Sequence, residues 1–422
     1  MTKKNHTPFR LVLVLLITAV LFSLPGISFA ADWPCWRGPN GDGISAETNW
    51  NPKALDNPKI AWRAQVGKGH SSLSVKGNYL YTMGNKVSKS GGTDVYFDTV
   101  YCLDNRTGKE VWQYSYPCRN TNYPGPRTTP AVDGNYVYTL SWEGHLFCFD
   151  AKTGSVVWKR HLVDENLSRR PGWGFSGSPV VDGDLLILTA AKSGIALDKR
   201  TGKVIWKSES AQCSLPSPVL FNSAGKRLAA IPNGSKLYAV DVKTGKIQWE
   251  QSRDSNMDID PILFGDKMLI QGNRNSTLVN VGGAQPKVVK EFNNMRFNPF
   301  LNFVVIDGYV YGFHNDRRSD NLSCLDLNTG ELKWQQDMGQ NGALIAAGRK
   351  LIVLKGDGTM LVAEASPDAY KMISSAKVLK MAANTGGRPQ DMCSCWTIPA
   401  IADGKVYARN NYGEVVCVDM KM

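Results

Sequence analysis

Asp104-Asn-Arg-Thr107-Gly108-Lys-Glu-Val-Trp112 is the stretch on which the fold turns, because the same spelling returns four more times. The pattern Asp-x-x-Thr-Gly-x-x-x-Trp recurs at Asp150/Thr153/Gly154/Trp158, Asp198/Thr201/Gly202/Trp206, Asp241/Thr244/Gly245/Trp249 and Asp326/Thr329/Gly330/Trp334. Successive tryptophans stand 46, 48, 43 and 85 residues apart. The last gap holds two periods, so a degenerate unit ends near Phe292. A period in the forties with strand-like patterning means propeller blades, solenoid turns or a similar array.

A second recurring element selects the propeller. Pro130-Ala-Val-Asp-Gly-Asn-Tyr-Val-Tyr138, Pro179-Val-Val-Asp-Gly-Asp-Leu-Leu-Ile187 and Pro399-Ala-Ile-Ala-Asp-Gly-Lys-Val-Tyr407 each place Asp-Gly between two apolar runs. Asp-Gly is a hairpin signal, because Gly takes a positive φ and Asp tolerates one. A third strand such as Leu146-Phe-Cys-Phe-Asp150 follows, then the Thr-Gly turn, then the strand that carries the Trp. Four antiparallel strands per unit are the anatomy of a blade. The expected fold is therefore all-β, an eight-bladed propeller. Blades one to four end at Trp112, Trp158, Trp206 and Trp249. Blade five is degenerate over 262–292, blade six ends at Trp334, and blade seven is degenerate over 344–379. Only three strands remain after it, within 398–418. The missing fourth is Ile60-Ala-Trp62-Arg-Ala-Gln65, so the N-terminal strand completes the last blade and closes the ring, removing two exposed edges.

These blades resemble the pyrroloquinoline-quinone (PQQ) repeat superfamily of eight-bladed propellers, across about residues 60–419. That superfamily holds the quinoprotein alcohol dehydrogenases and the non-enzymatic assembly factor BamB. Trp33-Pro-Cys-Trp36-Arg37-Gly38-Pro39 also resembles the opening of secreted PQQ-like proteins of planctomycetes and related bacteria. A residue present in every blade serves the blade, so Trp62, Trp112, Trp158, Trp206, Trp249 and Trp334 read as structural. The resemblance implies that each stacks near the glycine of the neighbouring blade. The Asp caps its turn by accepting backbone N–H groups, and the Gly supplies the positive φ.

Composition agrees with a globular chain. Of 422 residues, 42% are hydrophobic and 20% charged, which excludes a disordered, collagen-like or multi-span membrane protein. The formal charge is +12, and without Lys3, Lys4 and Arg10 there are 46 basic against 37 acidic residues, or +9. That excess is spread along the chain and points to no nucleic-acid partner. Residues 1–30 read as a signal peptide: a basic start, the apolar run Leu11–Leu24, and Ser28-Phe-Ala30 as the small-residue cleavage motif. The run is short for a membrane span, which needs about 20 residues; an uncleaved anchor is the alternative. The first cysteine, Cys35, follows Asp-Trp-Pro, which is no lipoprotein signal. The expected organisation is signal peptide 1–30, N-terminal extension 31–59 and propeller 60–422. The expected product is an exported monomer, periplasmic or secreted, with no membrane span once the signal is removed.

Four cysteines (Cys102, Cys148, Cys324, Cys417) lie two residues before the third-strand Asp, where blades three and four carry Ala196 and Ala239. That position wants a small buried group, so these read as inert core thiols. Cys35, Cys118, Cys213, Cys393 and Cys395 lie off the repeat. Export permits disulfides, and Cys35 is a candidate staple for the extension, but the pairing is open.

The loops entering the innermost strands differ from one another, as a site on a rigid frame requires. The candidate funnel residues are His70, Arg127, Trp173, Cys213, Asp260, Arg296, Asn341, Asp391 and Cys395. Such a mix of cations, amides and aromatics suits an anionic or sugar-like ligand; for any one of them a solvated loop role is the plainer reading. No His-Glu-x-x-His, Gly-x-Ser-x-Gly or phosphate-cradling loop occurs, and the histidines show no metal spacing. Cys393 and Cys395 with Cys213 and His70 make a candidate soft-metal set at the axis, but a disulfide or free thiols account for them equally, and no metal is expected. Asp258, Asp260 and Asp391 follow no glycosidase spacing. A PQQ enzyme of this resemblance needs adjacent cysteines against the ring, Ca²⁺ held by Glu, Asn and Asp, and an Asp base. The chain has no Cys-Cys pair and no Cys-x-x-Cys-His haem site. The reading is a non-catalytic, BamB-like binding or scaffold propeller without cofactor, presenting its loop face to a protein or glycan. The alternative is a PQQ- and Ca²⁺-dependent alcohol or sugar dehydrogenase with a divergent site. A third reading is a secreted protein accompanying polysaccharide breakdown.

Overall fold

The computed structural model describes residues 32–119, 125–253, 259–272, 275–293, 302–314, 320–380 and 395–422. The signal-peptide reading of 1–30 lies outside them. Eight sheets follow one another around the ring, each built on four antiparallel strands, which in seven of the eight lie in sequence order. Blade 1 is Ser74–Lys76, Tyr79–Ser90, Thr93–Asp104 and Glu110–Pro117. The degenerate units form blades too: blade 5 spans Ile262–Phe264 to Lys287–Phe292, and blade 7 spans Gly342–Ala347 to Met372–Lys377. Among the described residues the helical content is one 3₁₀ turn, Ala54–Asp56, and no helix is long and apolar enough to cross a membrane. The short first strand of each blade meets its counterparts around the axis.

The expected closure is present. Lys59–Gln65 pairs antiparallel with Glu414–Asp419, with Trp62 opposite Cys417, so blade 8 is built from both ends of the chain. Trp112, Trp158, Trp206, Trp249 and Trp334 likewise face Cys102, Cys148, Ala196, Ala239 and Cys324. The small third-strand position is therefore the cross-strand neighbour of the large fourth-strand ring, and volume is conserved across the pair.

Each tryptophan leaves its own blade to dock on the next. A Cβ at Gly108, Gly154, Gly202 or Gly245 would lie 2.5–2.7 Å from the ring of Trp62, Trp112, Trp158 or Trp206. The same indoles donate to the carbonyls of Asn105, Ala151, Lys199 and Val242 at 2.7–3.0 Å. The turn is shaped by its Asp, as at Asp150, whose Oδ1 accepts from Lys152 N, Thr153 N and the Thr153 hydroxyl. In blade 5 Lys290 holds the Trp register position, opposite Leu278, and Phe292 two residues on packs its ring on Gly330. In blade 7 the corresponding residue is Ser374, opposite Val362; its hydroxyl donates to Pro52 O at 2.6 Å. The buried Trp50 and Leu55 join the core there, so the N-terminal segment supplies the bulk that blade 7 lacks.

Candidate functional site: an axial cavity beneath an N-terminal strap

Residues 32–50 run across the ring. Trp33 bridges Val75 of blade 1 through two backbone bonds of 2.8 and 2.9 Å, and Pro34 O accepts from Val132 N of blade 2. Ile44–Ser45 then adds to blade 7 as a fifth strand, parallel to Gly342–Ala347. Glu47 receives the backbone N–H of Gly404 in blade 8 at 3.0 Å. Between these anchors lies Arg37, which is 1% exposed. Its guanidinium donates to Phe303 O at 2.9 Å and to Asp42 O at 3.0 Å. The close approach of Gly38 to Trp33, 2.8 Å for a Cβ at φ 78°, explains why glycine follows the arginine. Cys35 donates to Gly38 O at 3.1 Å and is a thiol, as are Cys118 and Cys213. The candidate Cys35 staple gives way to backbone pairing of the strap, and burial pushes the Cys35 pKa up to about 12.

A girdle of side chain–backbone bonds lies at the entry to the innermost strands. Ser72 N donates to Thr129 Oγ1 (3.2 Å), Thr129 N to Ser178 Oγ (2.9 Å), Ser178 N to Ser217 Oγ (3.0 Å) and Ser217 N to Asp260 Oδ1 (2.7 Å). Ser72 Oγ donates to Ile398 O, and Asn302 Nδ2 to Leu344 O. Blades 1 to 5 are joined in sequence, with further ties from blade 1 to blade 8 and from blade 6 to blade 7. The recurrence of Thr129-Pro130, Ser178-Pro179, Ser217-Pro218 and Asp260-Pro261 is the sequence signal for it. Asp260 Oδ2 accepts the Trp36 indole N–H at 2.6 Å, so this carboxylate ties both girdle and strap. Burial raises its pKa, against the pull of Arg37, Trp36 and Ser217.

Beside Trp36 and Arg37 opens a cavity of about 340 Å³. Its walls are aromatic at Trp36, Trp173, Trp396 and Phe303, with His70, Arg127, Ser176 and Asn302 among them. Arg127 Nη1 donates to Trp173 O at 2.5 Å, and Trp173 stands on the rim, 60% exposed. The loop that carries His70 is held by Arg409, a fully buried cation that donates to the carbonyls of Ser71, Met83, Gly67 and Gly69 and to Thr82 Oγ1. Burial, then Arg127 and Arg409, push the His70 pKa down to about 3, so His70 is neutral here at physiological pH. Three buried polar atoms of this lining, His70 Nδ1, Ser176 Oγ and Asn302 Oδ1, have no hydrogen-bond partner in the described structure. Such atoms are costly to leave unpaired and mark places where a ligand or water bonds.

Of the nine candidate residues, His70, Arg127, Trp173 and Asp260 line this cavity. Cys213 does not: it is buried with Leu162, Leu167 and Phe175. Asn341 precedes blade 7 outside the lining, with its carbonyl taken by Gly356 N. Cys395 is buried in the core, while the adjacent Trp396 reaches the cavity. Arg296 and Asp391 lie outside the described residues. Trp36, Arg37, Ser176 and Asn302 escaped the sequence reading, because only the strap's path brings the first two to the axis.

The PQQ resemblance implies a Ca²⁺-bound quinone, and Ca²⁺ takes about 6–8 oxygen ligands. The one carboxylate of the described lining, Asp260, spends both oxygens on Ser217 and Trp36. The described residues therefore do not fit that metal and its quinone.

Fold and cavity together define an eight-bladed propeller with a strapped axis and a ligand-sized recess beside it. The family model of "Outer membrane protein assembly factor BamB" matches residues 96–288. BamB of Yersinia pestis is 25% identical over 323 residues, 71% of this chain and 69% of that protein. Alignments with BamB of Moranella endobia and Salmonella typhimurium span 63% and 40% of those relatives. Among solved structures, BamB from Moraxella catarrhalis matches with a TM-score of 0.58 at 14% identity, over 86% of this chain and 97% of that one. Quinohemoprotein alcohol dehydrogenase from Comamonas testosteroni matches with 0.70 at 14% identity, over 92% and 80%. At such identities the structural likeness shows the fold alone. The chain is an eight-bladed propeller similar to BamB and to the PQQ-repeat proteins.

Proposed function

We propose that this chain is an exported, non-catalytic binding propeller that presents its loop face to a partner, and that the axial cavity takes the end of a glycan. The observation that carries this is the pairing of aromatic walls with unsatisfied polar atoms: Trp36, Trp173 and Trp396 beside His70 Nδ1, Ser176 Oγ and Asn302 Oδ1. A sugar ring offers an apolar face to stack and hydroxyls that both donate and accept, and this lining meets both needs. The commitment of Asp260 to the strap argues against a general base at that position. Periplasmic or secreted residence follows from the N-terminal reading, and a protein partner on the same face accords with the BamB relatives.

Titration calorimetry on the purified chain, with a panel of neutral and acidic oligosaccharides, tests the proposal. Saturable one-to-one binding is expected, weakened about 10-fold or more by Trp173→Ala. Binding of PQQ with Ca²⁺ tighter than about 10 μM would overturn it in favour of the dehydrogenase. Peptide binding without glycan binding would move the partner class to protein.

A further inference from the structure

Away from the axial lining, three metal-ligating side chains meet between blades 1 and 2. Cys118 directly follows the last strand of blade 1, Glu110–Pro117. Glu143 and His145 lie where blade 2 turns from Tyr136–Leu140 into His145–Asp150. The Cys118 sulfur, a Glu143 oxygen and a His145 nitrogen all lie within 4.8 Å of one another. Strand pairing fixes this meeting. Cys118 N donates to Tyr96 O, Gly144 N to Ser141 O and Leu162 N to Gly144 O, and Ser141 Oγ lies 3.0 Å from His145 Nδ1, orienting the ring. Two neighbouring polar atoms are left unpaired. Asp98 is fully buried; its Oδ1 accepts from Asn85 Nδ2 at 2.8 Å, while Oδ2 has no partner. Tyr116, directly opposite Asp98 in the ladder, has a buried hydroxyl without a partner, and its ring centroid is 5.1 Å from that of His145. Glu143 also accepts Arg119 N at 3.1 Å and lies 3.6 and 3.8 Å from the Arg119 and Arg170 side chains. Those arginines reach only one of the cluster's ligands and leave the thiol and imidazole untouched.

We propose that Cys118, Glu143 and His145 form a binding site for a borderline-soft divalent cation of the zinc class. A thiol, an imidazole and a carboxylate are the donors such an ion selects, and a three-ligand set leaves a fourth position open. Zn²⁺ bonds of about 2.0–2.3 Å need ligand atoms about 3.3–3.8 Å apart, so the trio closes by about 1 Å through side-chain rotation. Binding exchanges the Cys118 S–H proton for the metal: a sulfur–metal bond forms and one proton leaves to solvent, with no redox change. The buried Asp98 beside the thiol supplies the negative surroundings that a bound cation neutralises.

The test uses the purified chain without a polyhistidine tag. Zn²⁺ titration against a chromophoric chelator should show one site per chain, and Co²⁺ should give thiolate-to-metal charge-transfer absorption. Cys118→Ser should abolish that absorption, and His145→Gln should weaken Zn²⁺ binding by more than about 10-fold, the loss that even an outer partner of a ligand causes. Cys417→Ala, in blade 8, should leave both intact and controls for general thiol effects. Circular dichroism checks that each variant is folded. Absence of stoichiometric Zn²⁺ binding, or a Co²⁺ spectrum without thiolate character in the unaltered chain, overturns the site. Binding that survives Cys118→Ser and His145→Gln in folded protein overturns the ligand assignment.

Discussion

The repeated tryptophan is a contact between blades, and the residues around it have their identities set by that contact. Gly154 sits at φ 71° with its hydrogen against Trp112. Gly154→Ala adds a methyl where the ring already lies 2.5 Å away and strains a left-handed backbone. It should cost about 2–4 kcal/mol, read from the urea midpoint. Cys148→Ala, at a site where other blades carry Ala196 and Ala239, should cost under about 1.5 kcal/mol. His70 supplies a pH test. With a folded pKa near 3 against an ordinary 6.5, the unfolded chain binds the extra proton between those values. This contribution to stability is present above 6.5 and lost as pH falls, by up to about 1.4 kcal/mol per unit. Buried Asp98, raised to about 6, runs oppositely and favours the folded chain as pH falls from 6 toward 3.8. His70→Gln should therefore gain on the unaltered protein between pH 6 and 4, in urea melts at matched pH. A constant offset across that range would refute the assigned shift.

The strap was harder to read than the blades, and the reason is physical. Blade residues recur, so Trp112, Gly154 and Cys148 can be compared with their counterparts before any coordinate is known. Trp36 and Arg37 occur once, and nothing local says that residues 32–50 cross from blades 1 and 2 to blades 7 and 8. Asp260 shows the consequence: the sequence marks it as a funnel carboxylate, yet its two oxygens fasten the girdle at Ser217 and the strap at Trp36. Cys213 and Asn341 likewise occupy entry loops without lining the axial cavity, since loop position does not set which side chains reach it. Coupling across the Trp36–Asp260 bond measures how far the strap depends on this carboxylate. A double-mutant cycle with Trp36→Phe and Asp260→Asn should give about 1–3 kcal/mol, because the bond pairs a charged acceptor with an indole away from bulk water. Zero coupling would mean that the strap is held by its other anchors, the backbone bonds to Val75, Val132 and Ala346 and the Arg37 and Glu47 side chains.

At the scale of the ring, one joint differs from the other seven: blade 8 has no covalent link between its third and fourth strands. Its closure was legible because three orphan strands at one end matched one at the other. The Arg63–Glu414 contact across the joint is 2.6 Å long but partly exposed, and such pairs contribute about 0–1 kcal/mol. The strength lies in the Lys59–Gln65 ladder and in Trp62 packed on Gly108 of blade 1. Removing residues 32–65 exposes the edge of Glu414–Asp419 and the vacated Trp62 pocket together, and unpaired edges recruit other chains. That truncation should elute as oligomer or aggregate rather than monomer in size-exclusion chromatography. A circular permutant distinguishes loss of the strand from loss of the strap. Lys59 lies opposite Asp419 in the ladder, so a Thr-Gly turn of the kind used elsewhere in the ring can join the C-terminal strand to 59–65, with the new start at Val66. This permutant keeps the strand and lacks the strap, and it should elute as the unaltered chain does, folded, with a lower urea midpoint. If it aggregates as the truncation does, the strap rather than the closing strand holds the ring shut.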